Sequence, residues 1–365
     1  MVDAKEFKTL KYTKFATISS NGSYVVKSIC RDSTVPPHDS RSELAISKKL
    51  NQGNEHIVEL LGYEEEEEDL KLLLPLYDMD LDEYMRSCYR PPKKRSKKFN
   101  PYLSFTGAQT LVEQPQVCEN QFDVNQYAYD FFLQLSSALQ FIHSQGIIHR
   151  DVKPQNVLLS RVEKPQLVLT DFGISYDTQD PAQLQREDPN AKITDVSTSI
   201  YKAPELLFGV KNYKFAVDIW ALLILISQWF QIEANLSLSI LPAMVDDGSG
   251  QLEDGETGSD IRLIFSIFSN LGIPAITQWT EVEKHGSSEA FQGMFGSNGD
   301  GNYLLNKTRG EQLETIHKLM PRLKDIQDEA AKKHIENCIL GMVAFDSSQR
   351  WSSKQIVHEL TKLNL

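Results

Sequence analysis

His149-Arg150-Asp151-Val152-Lys153-Pro154-Gln155-Asn156, followed at once by Val157-Leu158-Leu159, is the stretch that decides the fold. Asn156 stands five residues after Asp151 across a tight loop, and the apolar triplet behind it reads as a strand. Twenty residues after Asp151 comes Asp171-Phe172-Gly173, itself preceded by the β-like Leu167-Val168-Leu169-Thr170. Ala203-Pro204-Glu205 and Asp218-Ile219-Trp220 follow in that order. Any one of these triplets is a weak signal, but the ordered set is very improbable by chance.

Working outward, the first 75 residues read as strands around one helix. Tyr24-Val25-Val26 is β-rich and follows Asn21-Gly22, a tight-hairpin signal. Pro36-Pro37 opens a helix containing Ser42 to Ile46. Glu64–Asp69 fits a solvated turn before the buried strand Leu70–Leu74, which Pro75 ends. Beyond Asp80 the pattern is helical. One helix starts over 81–88, and a long one spans 124–144 with Tyr127, Phe131, Leu135 and Leu139 four apart. Two segments break the periodicity and read as insertions: about 91–116, with five bases between Lys93 and Lys98, and the Gly-, Ser- and acid-rich 246–260. The bases fit a nuclear-import patch, a docking site for acidic partners, or a solvated loop.

Composition narrows the class. The chain has 365 residues, enough for two domains or one bilobed domain, and its 41% apolar and 24% charged residues exclude disordered, collagenous and disulfide-scaffold proteins. The net charge of −12 comes from two runs, Glu64–Asp69 and Asp246–Asp260, with six acids each; without them the balance is neutral. Nucleic acid is therefore not an expected partner, since phosphate contacts need a basic face. The four cysteines are widely spread and fit reduced thiols in the cytoplasm or nucleus. The N-terminus has no signal-peptide stretch, and the longest apolar run, Ile219–Ile226, has eight residues, so no membrane span is expected.

The ordered set resembles the signature of eukaryotic protein kinases, over nearly the whole chain. The resemblance implies an α+β, bilobal fold. Residues 1–76 would form a small β-rich lobe with one helix, and 77–365 a large, mainly helical lobe carrying both insertions. It implies phosphoryl transfer from ATP with Mg²⁺. Asp151 would accept the proton of a substrate hydroxyl, and Asn156 and Asp171 would offer Mg²⁺ its hard oxygen donors. Lys153, which can reach the transferring group, and Thr198, seven residues before Glu205, favour a Ser/Thr acceptor. Lys27 resembles the strand lysine that holds the α and β phosphates, with Glu43, sixteen residues on, as its helix partner. Leu74 would be the gatekeeper. In the hinge, Pro75 would offer adenine its C=O and Tyr77 its N–H, while Asp80 fits either a ribose contact or a helix N-cap. Glu205 with Arg350 matches a buried ion pair, and Asp218 the anchor of the His149–Arg150 backbone.

One part of the signature is missing. The phosphate-covering G-x-G-x-x-G is replaced by Tyr12–Ser23, with Gly22 its one glycine. That departure leaves a kinase-fold scaffold without catalysis as the alternative, although the lysine, base and metal ligands are all in place. It also narrows the resemblance. With Ile200–Lys211, Ile226–Gln231, Met320–Leu323 and Asn337–Val343, the chain is similar to the monomeric CDK-activating kinases of budding yeasts. That implies phosphorylation of the activating T-loop threonine of cyclin-dependent kinases by a single subunit. Such a subunit would be a monomer needing no cyclin, active in cytoplasm and nucleus. For the activation segment, Arg150 could pair with a phosphate on Thr194, Ser197 or Ser199, or Asp195 could supply a constitutive charge. The expectation is no obligatory phosphorylation.

Overall fold

The computed structural model describes residues 7–31, 36–51, 53–92, 117–160, 164–249 and 258–364. The basic run Lys93–Lys98 lies outside the described residues, as do the rest of 93–116 and 250–257.

Strands β1 (Lys8–Tyr12), β2 (Ala16–Ser20), β3 (Tyr24–Cys30), β4 (Gly62–Glu65) and β5 (Asp69–Pro75) form one antiparallel sheet in the order β1-β2-β3-β5-β4. Ser20 pairs with Val25, so the β2–β3 turn holds four residues rather than the tight two-residue form. Gly22 takes the left-handed region at φ 83°, and Asn21 Oδ1 accepts from the amides of Ser23 and Tyr24. The acidic run is only partly a turn: Glu64 and Glu65 are exposed residues of β4, and Glu66 closes the turn by donating its N–H to Asp69 O. Helix α1 (Ser40–Leu50) begins after Asp39 rather than at Pro36-Pro37. A cap needs a side-chain acceptor, which Asp39 supplies to Arg41 N at 3.0 Å and proline lacks. A small core of Ile29, Leu44, Leu60, Leu70 and Leu72 joins α1 to the sheet.

The remaining residues fold as a larger, mainly helical body. After β6 (Met79–Asp80) come α2 (Leu81–Ser87), β7 (Tyr89–Arg90), β8 (Val117–Asn120) and α3 (Tyr129–Ser144). The 124–144 helical pattern is borne out, but its first turn, Val124–Ala128, is a wider π turn capped by Asp123. Helices α4 (Pro181–Arg186) and α5 (Pro204–Leu207) lead to α6 (Ala216–Ser227), every residue of which from Val217 onward is buried. That burial explains its unbroken apolar run, since a helix surrounded on all sides has no polar face. Trp220, Trp229, Phe131 and Phe345 pack in the same core. Strand β13 (Glu233–Asn235), α7 (Asp260–Leu271), α8 (Thr280–His285), α9 (Ser288–Phe295), α10 (Arg309–Leu319), α11 (Glu329–Met342) and α12 (Ser353–Thr361) complete the body. In the acidic insertion Asp247 is buried and accepts from Ser199 Oγ, and Asp260 opens α7 while pairing with Lys202. The four cysteines are not joined in disulfides, and among the described residues no helix is long and apolar enough to cross a membrane.

Two small ladders position the site. β9 (Ile147–Ile148) pairs with β12 (Tyr176–Asp177), and β10 (Val157–Ser160) with β11 (Gln166–Leu169). The loop 149–156 therefore runs from β9 to β10, and the loop 170–175 from β11 to β12. Both loops are held at their two ends, and Asp171 of the second meets Lys27 of the five-stranded sheet.

Candidate active site

The 149–156 loop is fixed from beneath. Asp218 in α6 accepts from His149 N and Arg150 N, each at 2.8 Å, and from His143 Nε2 at 2.9 Å. Those bonds hold Arg150 at φ 70°, and Asp171 sits at φ 66° in the neighbouring loop. Each such conformation costs a non-glycine residue on the order of 1–3 kcal/mol, so the surrounding bonds must over-determine it. His149 Nδ1 accepts from Asp151 N at 3.2 Å, which leaves Nε2–H to donate to Thr170 O at 3.0 Å and ties the two loops together.

Above this base the expected groups converge. Thr198 Oγ1 donates to Asp151 Oδ1 at 2.8 Å, and Lys153 Nζ lies 2.8 Å from both Asp151 Oδ2 and Thr198 Oγ1. Asn156 Nδ2 donates to Asp151 O at 2.8 Å and to Oδ2 at 2.9 Å, which leaves its Oδ1 as the atom with ligating capacity. From the sheet, Lys27 Nζ reaches Glu43 Oε1 at 2.6 Å and Asp171 Oδ1 at 2.7 Å, joining β3, α1 and the 170–175 loop. Burial opposes the charge on Lys27, but Asp171 and Glu43 outweigh it and hold the ammonium above its ordinary range. Burial likewise opposes ionisation of Asp171, and Lys27 outweighs it, keeping the carboxyl well below the usual range. Thr170 N donates to Asn156 O at 3.0 Å, which brings the two loops together, and an ionised Asp171 and the Asn156 amide oxygen are donors of the kind a hard divalent cation takes. Gly173 passes close: a Cβ there would stand 3.2 Å from Glu43 Oε2 and 3.3 Å from Asp171 Oδ1.

The hinge residues lie where the sheet meets the larger body. Leu74 is packed against both cores, Pro75 pairs with Tyr24, and Tyr77 leans on the large core. Asp80 is the N-cap of α2, accepting from Glu83 N at 2.9 Å. Glu205 and Arg350 form a bidentate pair at 2.8 and 3.0 Å with no exposure of either side chain. Removing one partner would strand a buried charge, at a cost of about 3–5 kcal/mol.

The hairpin tip in place of the glycine-rich loop is self-contained. Thr13 Oγ1 accepts from Ala16 N at 2.9 Å and Phe15 N at 3.4 Å, so both amides are committed within the turn. The Phe15 ring stacks on His38 with centroids 3.6 Å apart.

Some functional contacts have no local sequence signal. Arg150 does not meet Asp195, which pairs instead with Lys202 at 3.2 Å. Its partner is Glu187, through NH2–Oε1 at 2.8 Å and NH1–Oε2 at 3.0 Å. The Asp195 side chain is 95% exposed, whereas the Arg150 guanidinium is fully buried and, among the described residues, Glu187 is the acid that pairs with it. Ser197 Oγ instead donates to Arg150 O at 2.7 Å.

Residues 13–239 match the model of the protein kinase domain. The chain is 44% identical over 368 residues to the serine/threonine-protein kinase CAK1 of Saccharomyces cerevisiae, covering 99% of this chain and 98% of the yeast protein. It is 36% identical over 150 residues to the serine/threonine-protein kinase csk1 of Schizosaccharomyces pombe, covering 41% and 43% of the two chains. A chain in the solved CAK complex of Chaetomium thermophilum bound to ATP-γ-S has the same fold, with a TM-score of 0.62 at 17% identity, covering 97% of this chain and 90% of that one.

Proposed function

The chain belongs to the protein kinase family and is a serine/threonine protein kinase, and we propose that it transfers the γ-phosphoryl group of ATP to the activating T-loop threonine of cyclin-dependent kinases. The observation that carries the catalytic reading is two hydrogen-bonded groups, Lys27–Glu43–Asp171 and Asp151–Asn156–Lys153–Thr198, on loops joined by the Thr170 N to Asn156 O bond. Asp151 accepts the threonine proton and orients its oxygen; Lys153 and Thr198 steady that carboxylate and the transferring group. Lys27 holds the α and β phosphates. Mg²⁺, taken by Asn156 and Asp171, would neutralise phosphate charge. Adenine lies against Leu74, with the Pro75 C=O and Tyr77 N–H as its partners and Asp80 near the ribose. The assembled array favours catalysis over an inactive scaffold.

The end-to-end identity to the yeast CAK1 supports the substrate. A Lys27–Glu43 pair made within one chain supports a monomer that needs no cyclin. Cytoplasm and nucleus are the proposed locations, because cyclin-dependent kinases act in both. The test is transfer of labelled phosphate to a purified, cyclin-free cyclin-dependent kinase, with the modified residue mapped and Asp151→Asn as control. Label on the T-loop threonine is the expected result; label elsewhere, or none, removes the substrate reading.

A further inference from the structure

Two adjacent residues that the catalytic array does not use reach in opposite directions from the end of α4. Arg186 NH2 lies 2.9 Å from Asp39 Oδ2 and 2.6 Å from Ser42 Oγ, at the N-terminus of α1. The other end of α1 is tied to the same segment, Lys49 Nζ meeting Asp177 Oδ2 at 2.7 Å and Gln179 Oε1 at 3.3 Å. Between these ties α1 presents Glu43 to Lys27. Glu187 turns the other way, to the buried Arg150 beside the catalytic Asp151. Its Oε1 also accepts from Ile193 N at 2.8 Å, and its carbonyl from Tyr176 Oη at 3.0 Å. Arg150 has the Tyr176 and Tyr213 rings at 4.6 and 5.5 Å, and its Nε has no hydrogen-bond partner among the described residues. A guanidinium so placed needs an anion. In kinases an anion at such an arginine and the placing of the helix glutamate are control points for phosphorylation and for partners.

We propose that Arg186-Glu187 is a built-in staple: Glu187 is the anion that sets Arg150 and the 149–151 loop, and Arg186 the tie that sets α1 and Glu43. Both are positioning residues, and together they do from within the chain what a phosphate on the activation segment and a partner on the helix would otherwise do. The proposal deepens the kinase reading and rests on it, but not on the identity of the substrate.

Because the two residues act on opposite sides of the cleft, they predict different kinetic signatures. Glu187→Gln keeps the shape and an acceptor for Ile193 N but removes the charge. It lowers kcat roughly ten- to a hundredfold and leaves KM for ATP within about twofold. Arg186→Ala loosens α1 and raises KM for ATP by roughly three- to tenfold, with a smaller change in kcat. Glu187→Asp recovers part of the lost kcat. In an Arg150→Met background, Glu187→Gln adds little further loss, since the pair is already broken. These rates are measured on full-length, phosphatase-treated protein shown by mass spectrometry to carry no phosphate, using both a generic Ser/Thr peptide and a cyclin-dependent kinase, with thermal midpoints recorded. Full kcat in the dephosphorylated wild type, with the split signatures, supports the staple. Loss of activity on dephosphorylation overturns it. So do a wild-type kcat in Glu187→Gln, or equal effects of both variants on kcat and KM that follow the thermal midpoint alone. Peptide turnover with the split signatures but no transfer to the cyclin-dependent kinase supports the staple and removes only the substrate reading.

Discussion

The hairpin tip Thr13–Ala16 and the loop His149–Asn156 both border the cleft, yet they treat their polar groups in opposite ways. The hairpin turns its amides inward onto Thr13 Oγ1 and its aromatic ring onto His38. The loop commits its backbone to Asp218 and so frees Asp151, Lys153 and Asn156 to meet at one point. Backbone amides tied into their own turn are spread along the hairpin, whereas the loop's side chains converge and so can exchange partners with one ligand at one point. The proposed catalysis therefore rests on the loop and on Lys27 and Asp171, with the hairpin contributing shape more than phosphate-binding amides.

The comparison breaks first, and by the largest effect, at the converging carboxylates. Asp151→Asn is nearly isosteric but removes the proposed proton acceptor, and Asp171→Asn weakens the proposed cation site. Each should cost at least about a hundredfold in turnover with the fold intact, measured by phosphate transfer alongside circular dichroism. Wild-type-like turnover in either would place the chemistry elsewhere.

A carboxylate with no part in the chemistry sharpens the contrast with Asp171. Burial, then the nearby Glu205, pushes Glu281 up to about 7, although the Ser347 amide donates to it at 2.9 Å. Its folded value lies above the ordinary one, so the proton favours the folded state. Its stabilising contribution is complete below about pH 4.5 and is lost as pH rises through 7. Glu281→Gln should flatten stability between pH 5 and 8 by about 2 kcal/mol relative to wild type, read by denaturant unfolding at each pH. Parallel curves for the two proteins would show that Glu281 does not titrate in this range.

The smallest effect is expected at the hairpin. Restoring G-x-G-x-x-G within residues 13–18 should raise ATP affinity by less than about tenfold, or 1.4 kcal/mol, if the clamp rests as proposed on Lys27 and the cation ligands. Calorimetric titration decides it, and a larger gain would make the native hairpin merely a poor version of the usual loop.

Much of this was legible in the chain. The apolar run of α6, the strand around Lys27 and the spacing of Asp151, Asn156 and Asp171 are local patterns, and a loop held between two strands needs its ligating residues at fixed short separations. The start of α1 was misread because two prolines signal a boundary while the capping carboxylate, Asp39, decides where the first turn closes. The four-residue turn after β2 escaped because Asn21 satisfies two further amides.

By itself, then, the sequence determined the kinase fold, the residues proposed for catalysis and the missing glycine loop, since each is written in contiguous residues or in spacings imposed by one loop. Only the tertiary structure decided which acid answers Arg150, what holds α1 against the activation segment, and what the hairpin does instead of cradling phosphate. Glu187 lies 37 residues from Arg150, and Arg186 lies 144 from Ser42. Pairings at such distances depend on which charges are buried together, because the cost of an unpaired buried charge selects among acids that look equivalent in the sequence.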